Sequence, residues 1–278
     1  MVQIPSGIEH GIHAIAADRL SGATSLVLSG VKLLRTVAGE AALLREVANR
    51  LVAAQPLMAG FRTAAAIATT SVEPARELEA LAQRISRAPD TIARIAVPLI
   101  QLRRDQGRPL AIVTCSRSQV VERTLLALAQ ADLLHVRCAE SRPGREGAAL
   151  AEALARRGIH VDLFDDAAIG AAIPTSDALV VGADAVSSDG FINKVGTAGL
   201  AALARVHGVA SFVMTGAERV VTAEVFRALP LAAPPLTPAH ADKAQLPRVV
   251  REVLFERIPA ALVDQLITET GLQLFDDI

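Results

Sequence analysis

From residue 107 onward, the 278-residue chain alternates short apolar runs with helical segments. The apolar runs cover residues 110–113, 133–138, 160–164, 179–181 and 210–214, and the helical segments between them cover 119–131, 146–157, 167–173 and 196–206. Short apolar runs that end in a loop are typical of buried parallel strands. This alternation predicts a right-handed, mostly parallel α/β sheet of the Rossmann-like type.

The first third of the chain shows helical periodicity alone. It predicts helices over residues 8–18, 24–37, 40–54, 61–69, 75–86 and 91–106. Pro89-Asp90 is expected to break the helical run, and Pro98 to kink the last helix or mark its true start. We therefore predict an all-helical N-terminal domain over residues 1–106 and a Rossmann-like domain over residues 107–278.

Two further features lie near the C-terminus. Residues 230–247 are rich in proline and alanine, which predicts a long excursion that serves as a binding or interface loop. Residues 266–269, followed by a glycine, predict a last strand at the edge of the sheet.

Composition and charge exclude several classes of function. A net charge of −1 gives no cationic surface for the phosphates of a nucleic acid, and the absence of Trp and Tyr removes the usual means of stacking on bases. Neither the two cysteines (Cys115 and Cys138) nor the six histidines show metal-ligand spacing, so we predict no metal site. No apolar run would span a bilayer and no secretory leader is visible. We expect a reduced, cytoplasmic protein without membrane or nucleic-acid partners.

Polar side chains follow all five predicted strands. They are Cys115 after the first strand, Arg142 and Arg145 after the second, Asp165 and Asp166 after the third, Asp184 after the fourth, and Thr215-Gly216 after the fifth. In an open α/β sheet, the carboxyl ends of parallel strands form the edge where ligands bind. We therefore predict one polar crevice, built from residues that are far apart in the sequence.

Cys115 is the candidate reactive thiol of this crevice. It precedes a predicted helix and stands near an arginine, two features that lower the pKa of a thiol and suit a proton shuttle or a nucleophile. The alternative is a small side chain packed at a strand end. Ser116, Arg117 and Ser118, with the backbone amides that follow, would form a phosphate cradle, or Ser118 would simply cap the helix.

Residues 178–208 carry the other half of the candidate site. Asp184 follows a predicted strand, and Asn193 and Lys194 precede the next helix. A carboxylate there suits sugar hydroxyls or proton transfer between oxygen atoms, and a lysine beside a helix start suits a phosphate. The alternatives are a turn-capping aspartate and a solvated lysine. Arg142, next to a proline at a strand-to-helix junction, suits bidentate phosphate contact, whereas Arg145 is equally well explained as a solvated surface charge.

Three segments together resemble a known superfamily. They are VVGADAVSSDGFINKVGT (180–197), ESRPGREG (140–147) and VLFERIPAALVDQLITETGL (253–272). The superfamily contains the alpha, beta and delta subunits of translation initiation factor 2B, ribose 1,5-bisphosphate isomerase and S-methyl-5-thioribose 1-phosphate isomerase. The resemblance covers most of residues 8–275.

The resemblance implies a helical domain followed by a Rossmann-like, CoA-transferase-like domain that forms homodimers or larger oligomers. It also implies a pocket for a phosphorylated sugar or nucleotide at the sheet edge, a regulatory protein partner and no cofactor. The implied ligand-binding positions are Gly22, Ala23, Ser116, Arg117, Ser118, Arg142, Gly147, Asn193 and Lys194. In the isomerases of the superfamily a cysteine and an aspartate match Cys115 and Asp184. The aspartate helps to open the furanose ring by proton transfer to its oxygen, and the cysteine shuttles the proton that converts an aldose 1-phosphate into a ketose.

Two functional hypotheses follow. One is a non-catalytic protein, similar to the alpha subunit of initiation factor 2B, that binds a phosphorylated sugar or nucleotide and acts through oligomer contacts. The other is an aldose–ketose isomerase of a ribose 1-phosphate derivative. The chain has Val113-Thr114-Cys115-Ser116-Arg117-Ser118 where the isomerases carry Thr-His-Cys-Asn-(Ser/Ala)-Gly, and Ser21-Gly22-Ala23 where they carry Arg-Gly-Ala. These departures favour the first hypothesis. A nucleotide enzyme of the common Rossmann type is disfavoured, because no Gly-x-Gly-x-x-Gly turn follows the first strand.

Overall fold

The computed structural model describes residues 2–18, 22–105, 107–231 and 253–278. The predicted excursion over residues 230–247 lies outside the described residues from position 232 onward. Within the described ranges, no helix combines the length and the apolar character needed to cross a bilayer.

Helices account for the whole first third of the fold, as the periodicity predicts. The helices are α1 (Ser6–Ala17), α2 (Ala23–Thr36), α3 (Ala41–Ala54), α4 (Ala59–Thr70), α5 (Pro74–Gln101), α6 (Gln119–Ala131), α7 (Glu146–Ala155), α8 (Thr197–His207) and α9 (Ala223–Ala228). Aliphatic side chains at three- and four-residue spacing give each of the first helices one apolar face. These faces meet in a core that includes Val27, Val31, Leu44, Leu51 and Phe61, all fully buried.

Helix α5 is continuous, so the predicted break at Pro89-Asp90 is wrong. Pro89 and Pro98 both lie inside the helix. An internal proline costs roughly 3 kcal/mol, but each fully buried leucine or isoleucine contributes about 1.5–3 kcal/mol. The apolar positions keep helical spacing across Pro89, and several such side chains are buried on each side of it. Burial of this long stripe therefore outweighs the lost hydrogen bond.

Helix α5 belongs to two cores. Leu78, Leu81 and Ile85 pack among the N-terminal helices, whereas Ile92 and Ile100 pack beneath the sheet. The boundary at residues 106 and 107 stays a prediction, because the helix before it contributes to both halves of the fold.

The strands form one large and one small sheet. The strands are β1 (Leu110–Thr114), β2 (Leu134–Ala139), β3 (His160–Phe164), β4 (Ala178–Gly182), β5 (Ala185–Ser187), β6 (Gly190–Lys194), β7 (Ala210–Met214), β8 (Phe255–Pro259), β9 (Gln265–Thr268) and β10 (Gly271–Gln273). The large sheet has the order β10-β9-β7-β4-β1-β2-β3, and every neighbouring pair is parallel except β9 with β10. The predicted parallel sheet is thus confirmed.

The strand predicted over residues 266–269 is neither the last strand nor at the edge of the sheet, contrary to the prediction. Strand β9 lies between β7 and β10. Gly271 has a φ of 136°, which glycine adopts readily and other residues rarely do. The chain reverses direction just before it and adds β10 as the outer strand. The glycine that follows residues 266–269 therefore continues the sheet and does not end it.

Helices cover both faces of the large sheet. Helices α5, α6 and α7 pack on one face, around Ile112, Val136 and Val180. Helix α8 and the segment Ile169–Thr175 pack on the other. That segment, predicted as a helix over residues 167–173, is a short 3₁₀ helix. The central strands are thus covered on both faces, and their polar neighbours lie at the strand ends, whereas β2 and β3 also carry the partly exposed polar residues His135, Arg137 and Asp162.

The small antiparallel sheet, β5-β6-β8, has no counterpart in the sequence prediction. Strand β6 pairs along its whole length with β8, about sixty residues further along the chain, with Asn193 opposite Glu256 and Lys194 opposite Phe255. The sheet lies directly after β4, so it positions Asn193 and Lys194 beside the carboxyl edge of the large sheet.

Candidate functional site

The predicted convergence at one sheet edge is present in the structure. Strand β1 lies between β4 and β2, so Cys115, at the end of β1, is central among the strand ends. Asp184 follows β4 and Glu140 follows β2. Lys194, at the end of β6, is a charged neighbour of both Cys115 and Asp184. The two predicted catalytic residues therefore share one electrostatic environment.

Cys115 is buried and hydrogen-bonded. Its Sγ lies 3.3 Å from Oγ1 of Thr197, which donates to the carbonyl oxygen of Lys194 (2.6 Å) and accepts from Nδ2 of Asn193 (3.0 Å). Either atom can be the donor in the contact between the Cys115 thiol and the Thr197 hydroxyl. Burial raises the pKa of Cys115 to about 11, against a lowering contribution from the hydrogen bond with Thr197. The predicted lowering of this pKa is therefore wrong, since desolvation outweighs the helix start and the nearby cations.

Asp184 is half-buried, and its backbone is fixed from two sides. Its N–H donates to the carbonyl oxygen of Ile192 (2.9 Å), and its carbonyl oxygen accepts from the N–H of Ala59 at the start of α4 (3.3 Å). Burial raises the pKa of the Asp184 carboxyl; Arg219 and Lys194 oppose that change, and Glu146 adds to it. A carboxyl whose ionisation is disfavoured suits proton donation better than a solvated one does.

Lys194 forms a buried ion pair within the protein. Its Nζ lies 2.8 Å from Oε1 of Glu146, in the first turn of α7, and the lysine side chain is only 4% exposed. The second carboxylate oxygen of Glu146 is buried and has no hydrogen-bond partner within the part of the chain that the structure describes. The solvated-lysine alternative is thus excluded, and Glu146 emerges as a site residue that the sequence prediction missed. Glu146 lies in the first turn of the helix that follows residues 140–145 (the Arg-Pro segment), and this position was the one sign in the sequence that could have identified it.

The Arg-Pro segment is held in place by acidic side chains. Asp166 accepts the backbone N–H groups of Ser141 and Arg142, each at 2.7 Å, and the Arg142-Pro143 peptide bond is cis. Nε of Arg142 donates to Oε1 of Glu140 at 2.7 Å, and this bond raises the pKa of the guanidinium. Most of the Arg142 side chain is exposed. Asp166 thus acts as a support for the loop, a role not predicted from its place after the third strand.

The segment after Cys115 differs from a simple phosphate cradle. Ser116 has a φ of 63°, and its N–H donates to Oγ of Ser141 at 2.7 Å. Arg117 is exposed and pairs with Glu122 at 3.1 Å. Ser118 occupies the N-cap position of α6 but makes no capping hydrogen bond with its side chain. Of the three residues, only Ser116 is tied to the Arg-Pro segment by a backbone hydrogen bond.

Gly147 has a clear packing role. A Cβ at this position would lie 1.8 Å from the carbonyl oxygen of Ala139 at the end of β2. The absence of a side chain therefore allows α7 to start directly against the strand end, which positions Glu146 beside Lys194.

The N-terminal helices contribute to the same edge through Arg219. This buried arginine donates to the carbonyl oxygen of Ala183 (2.8 Å) and to Oγ1 of Thr24 (2.7 Å), and it pairs with Glu218 (3.3 Å). Thr24 lies in the first turn of α2, directly after Gly22 and Ala23, so these predicted positions are linked to the loop that carries Asp184. The sequence prediction missed Thr24 and Arg219, since the partners of Arg219 lie 36 and 195 residues away along the chain, and it missed Glu218, the neighbour that pairs with Arg219.

Fold and site define an α/β protein with a helical N-terminal region and, at the carboxyl edge of its sheet, a cluster of polar side chains that includes a thiol and a carboxyl. The chain belongs to the Initiation factor 2 subunit family, whose model matches residues 19–273. This finding confirms the resemblance drawn from the three sequence segments.

Individual relatives come from both branches of the superfamily. The chain is 29% identical to a putative translation initiation factor eIF-2B subunit 2-like protein of Pyrococcus abyssi, over 97% of both chains. It is 32% identical to ribose 1,5-bisphosphate isomerase of Methanocaldococcus jannaschii, over 50% of this chain and 46% of the relative.

Solved structures confirm the fold. The structure of Pyrococcus horikoshii translation initiation factor eIF-2B has a TM-score of 0.82 at 24% identity and covers 98% of both chains. The tetrameric eIF2B-beta2-delta2 complex from C. thermophilum has a TM-score of 0.73 at 20% identity and covers 98% of this chain and 93% of that one. Structural neighbours therefore include subunits of oligomeric complexes.

Proposed function

We propose that the chain binds a phosphorylated pentose at this crevice and isomerises it from aldose to ketose. The observation that carries the proposal is the pairing of Cys115 with Asp184 around Lys194. Burial raises the pKa of both acids, and the buried ammonium group of Lys194 lies near both. Keeping two acids in such surroundings lowers stability, and perturbed acids of this kind cluster at catalytic sites. A site that only bound a ligand would need neither of them.

The reaction assigns a distinct proton to each acid. In a ribose 1-phosphate derivative, the hydrogen on C2 moves to C1 and the bond between C1 and the ring oxygen breaks. The ring oxygen gains a proton, and the C2 hydroxyl loses one as it becomes the ketone. Asp184 would transfer the proton between the two oxygen atoms. Cys115 would act as its thiolate, which takes the hydrogen from C2 as a proton and returns it to C1. The substrate and product are isomers, so no redox partner is required.

Phosphate binding is supported by a helix start and by several cations. The first turn of α2 begins at Gly22 and Ala23 without a side-chain cap, which leaves backbone N–H groups for an anion. Arg62, on the helix whose N-terminus contacts Asp184, has a buried Nε without a partner among the described residues. Lys194 and Arg142 are each paired with a glutamate, so a bound phosphate would compete with Glu146 and Glu140 for them.

The second candidate is a non-catalytic subunit of the initiation factor 2B type that acts through oligomer contacts. One observation favours it: the eIF-2B-like relative matches over 97% of both chains, whereas the isomerase matches over half of this one. Lys194 is already paired with Glu146 and Arg142 with Glu140, so a phosphate would gain less free energy from binding these two cations.

One assay separates the two candidates. The purified protein is incubated with ribose 1,5-bisphosphate, methylthioribose 1-phosphate or ribose 1-phosphate, and ketose formation is followed by NMR. We expect turnover of one of these compounds, lost in Cys115→Ser and in Asp184→Asn but retained in Cys138→Ser, whose thiol lies in the core. Tight binding without turnover would support the non-catalytic subunit and overturn the isomerase. Light scattering after size exclusion tests the predicted homodimer, which a clean monomer would contradict.

A further inference from the structure

A cluster of two histidines and an aspartate lies at the end of the sheet opposite the crevice. His135 is the second residue of β2 and His160 the first residue of β3, and the two are register partners in parallel strands. Their rings stack with centroids 4.2 Å apart and planes within 7°. Asp162, two residues beyond His160, projects from the same face of the strand. The ligand atoms that the three side chains offer lie within 4.8 Å of one another.

Asp162 makes a hydrogen bond with His135 and a wider contact with His160. Nε2 of His135 lies 2.8 Å from Oδ2 of Asp162, and Nε2 of His160 lies 3.7 Å from Oδ1. A tetrahedral zinc ion with bonds of about 2.0–2.1 Å holds its ligand atoms about 3.3 Å apart. The observed distances lie on either side of that value, and the stacked imidazole rings would have to rotate out of parallel so that both ring nitrogens face one ion. Without an ion, the contact between His160 and Asp162 is too long for a hydrogen bond.

Charge around the cluster is compatible with a cation. Arg137 is the register partner of Asp162 and the nearest candidate competitor for its carboxylate. Its Nη1, however, donates to the carbonyl oxygen of Ala172 and to the hydroxyls of Thr175 and Ser176. Asp162 therefore keeps one oxygen toward each histidine, and its negative charge faces the two imidazoles.

We propose that His135, His160 and Asp162 bind a late first-row divalent cation, with Zn²⁺ as the probe. Two imidazoles and one carboxylate are ligands that zinc accepts, and three protein ligands leave a fourth position open. His135 also lines a cavity of about 490 Å³ together with Arg108 and Thr175, so the open position adjoins space for water or a small ligand. The ion would join the edge strand β3 to β2. This proposal does not depend on the isomerase reaction.

The spacing of these residues along the chain gives no sign of a metal site, which is why none was predicted from the sequence. His135 and His160 are separated along the chain by a helix and a turn, and the parallel register alone brings them together. No short metal-binding motif exists for a pair of residues placed in this way.

The test is a zinc titration of metal-free protein in competition with a chromogenic indicator. We expect the wild-type protein to bind one Zn²⁺ per chain, and His160→Ala and Asp162→Asn to weaken binding by about tenfold or more. His207→Ala, which removes an exposed histidine of α8, is the matched control and should keep wild-type affinity. The His160 side chain is 71% exposed, so its removal should leave the fold intact, as circular dichroism would check.

A second measurement, thermal unfolding with and without zinc, tests whether the ion binds the folded strands β2 and β3. Zinc should raise the thermal midpoint of the wild-type protein and of His207→Ala but not that of His160→Ala, because an ion that binds only the folded state stabilises it. Equal affinity in the wild-type protein and His160→Ala would overturn the proposal by placing the ion elsewhere, for instance at the cysteines. Binding that appears only at millimolar zinc would overturn it as well.

Discussion

At the scale of single residues, the crevice keeps two acids in surroundings that disfavour their ionised forms. Asp184 and Cys115 are both affected mainly by burial, and the charges of Arg219 and Lys194 offset only part of that effect. A raised pKa means that the folded state prefers the protonated acid, so folding loses free energy as pH rises and ionisation is forced. The burial that suits Cys115 and Asp184 to proton transfer therefore also lowers the stability of the folded state when they ionise.

Asp184→Asn should make the protein more stable near neutral pH while it abolishes turnover. Asparagine keeps the shape of the side chain and removes the cost of a carboxylate whose pKa is raised by burial, and we expect a gain of about 1 kcal/mol. The gain should shrink as pH falls and the wild-type carboxyl becomes protonated. Urea unfolding at neutral and acidic pH measures it, and a less stable variant at neutral pH would contradict the pKa direction.

Cys115 should react slowly with iodoacetamide at neutral pH. The thiolate is the reactive form, and with a pKa of about 11 its fraction rises about tenfold per pH unit up to that value. The measurement uses Cys138→Ser, so that Cys115 is the only thiol, and follows alkylation by mass spectrometry between pH 7 and 11. A rate that levels off near pH 8.5 would indicate an ordinary thiol.

At the scale of elements, the site depends on how closely α7 approaches the end of β2. That contact leaves no room for a side chain at Gly147, and it places Glu146 against Lys194. One backbone contact thus positions an ion pair at the centre of the crevice.

Gly147→Ala should destabilise the protein by about 2 kcal/mol or more, because the added methyl group would overlap a backbone oxygen that cannot rotate away. Gly199→Ala is the matched control, since Gly199 lies in α8 with open space around its Cα. There, alanine should stabilise the helix by about 0.5–1 kcal/mol. Opposite signs in urea unfolding are the expected result; two variants of equal stability would show that α7 can shift away from the strand.

The sequence predicts those strands and helices that a short stretch of residues is enough to specify. It fails where the structure depends on contacts between segments that are far apart in the chain. Apolar runs locate five strands of the large sheet, and the ends of those strands locate Cys115 and Asp184. The small sheet is missed because β6 finds β8 only after a long intervening segment. Glu146 and Arg219 are missed for a similar reason, as their roles arise from contacts made across the fold. The break predicted at Pro89 is wrong because packing outweighs the local preference of proline.

At the scale of the whole molecule, Arg219 connects the helical half to the sheet. Its guanidinium joins the first turn of α2 to the loop before Asp184, with Glu218 as its buried counter-ion. A ligand that contacts both Gly22 and Asp184 would therefore lie across the junction that Arg219 maintains.

Arg219→Ala should loosen this junction. The change leaves Glu218 buried without its partner, which costs roughly 3–5 kcal/mol, and frees the start of α2. Hydrogen exchange should accelerate at the Leu26 amide, which bonds to Gly22, while amides within α3 change less. Arg205→Ala, which removes an exposed arginine of α8, should leave exchange unchanged, and Arg219→Lys keeps a charge if the alanine variant fails to fold. Uniform acceleration in all helices would contradict a local role.

Helix α5 imposes a rule on how chains of this fold can change in length. Its two apolar segments, around Leu81 and around Ile92, lie in separate cores, and each residue of a helix turns the next by about 100°. One residue inserted or deleted between Ile85 and Ile92 would turn one segment out of its core while the other stayed in place. Insertions and deletions should therefore accumulate in the loops between strands and helices, and the number of residues in this part of α5 should remain fixed across the family.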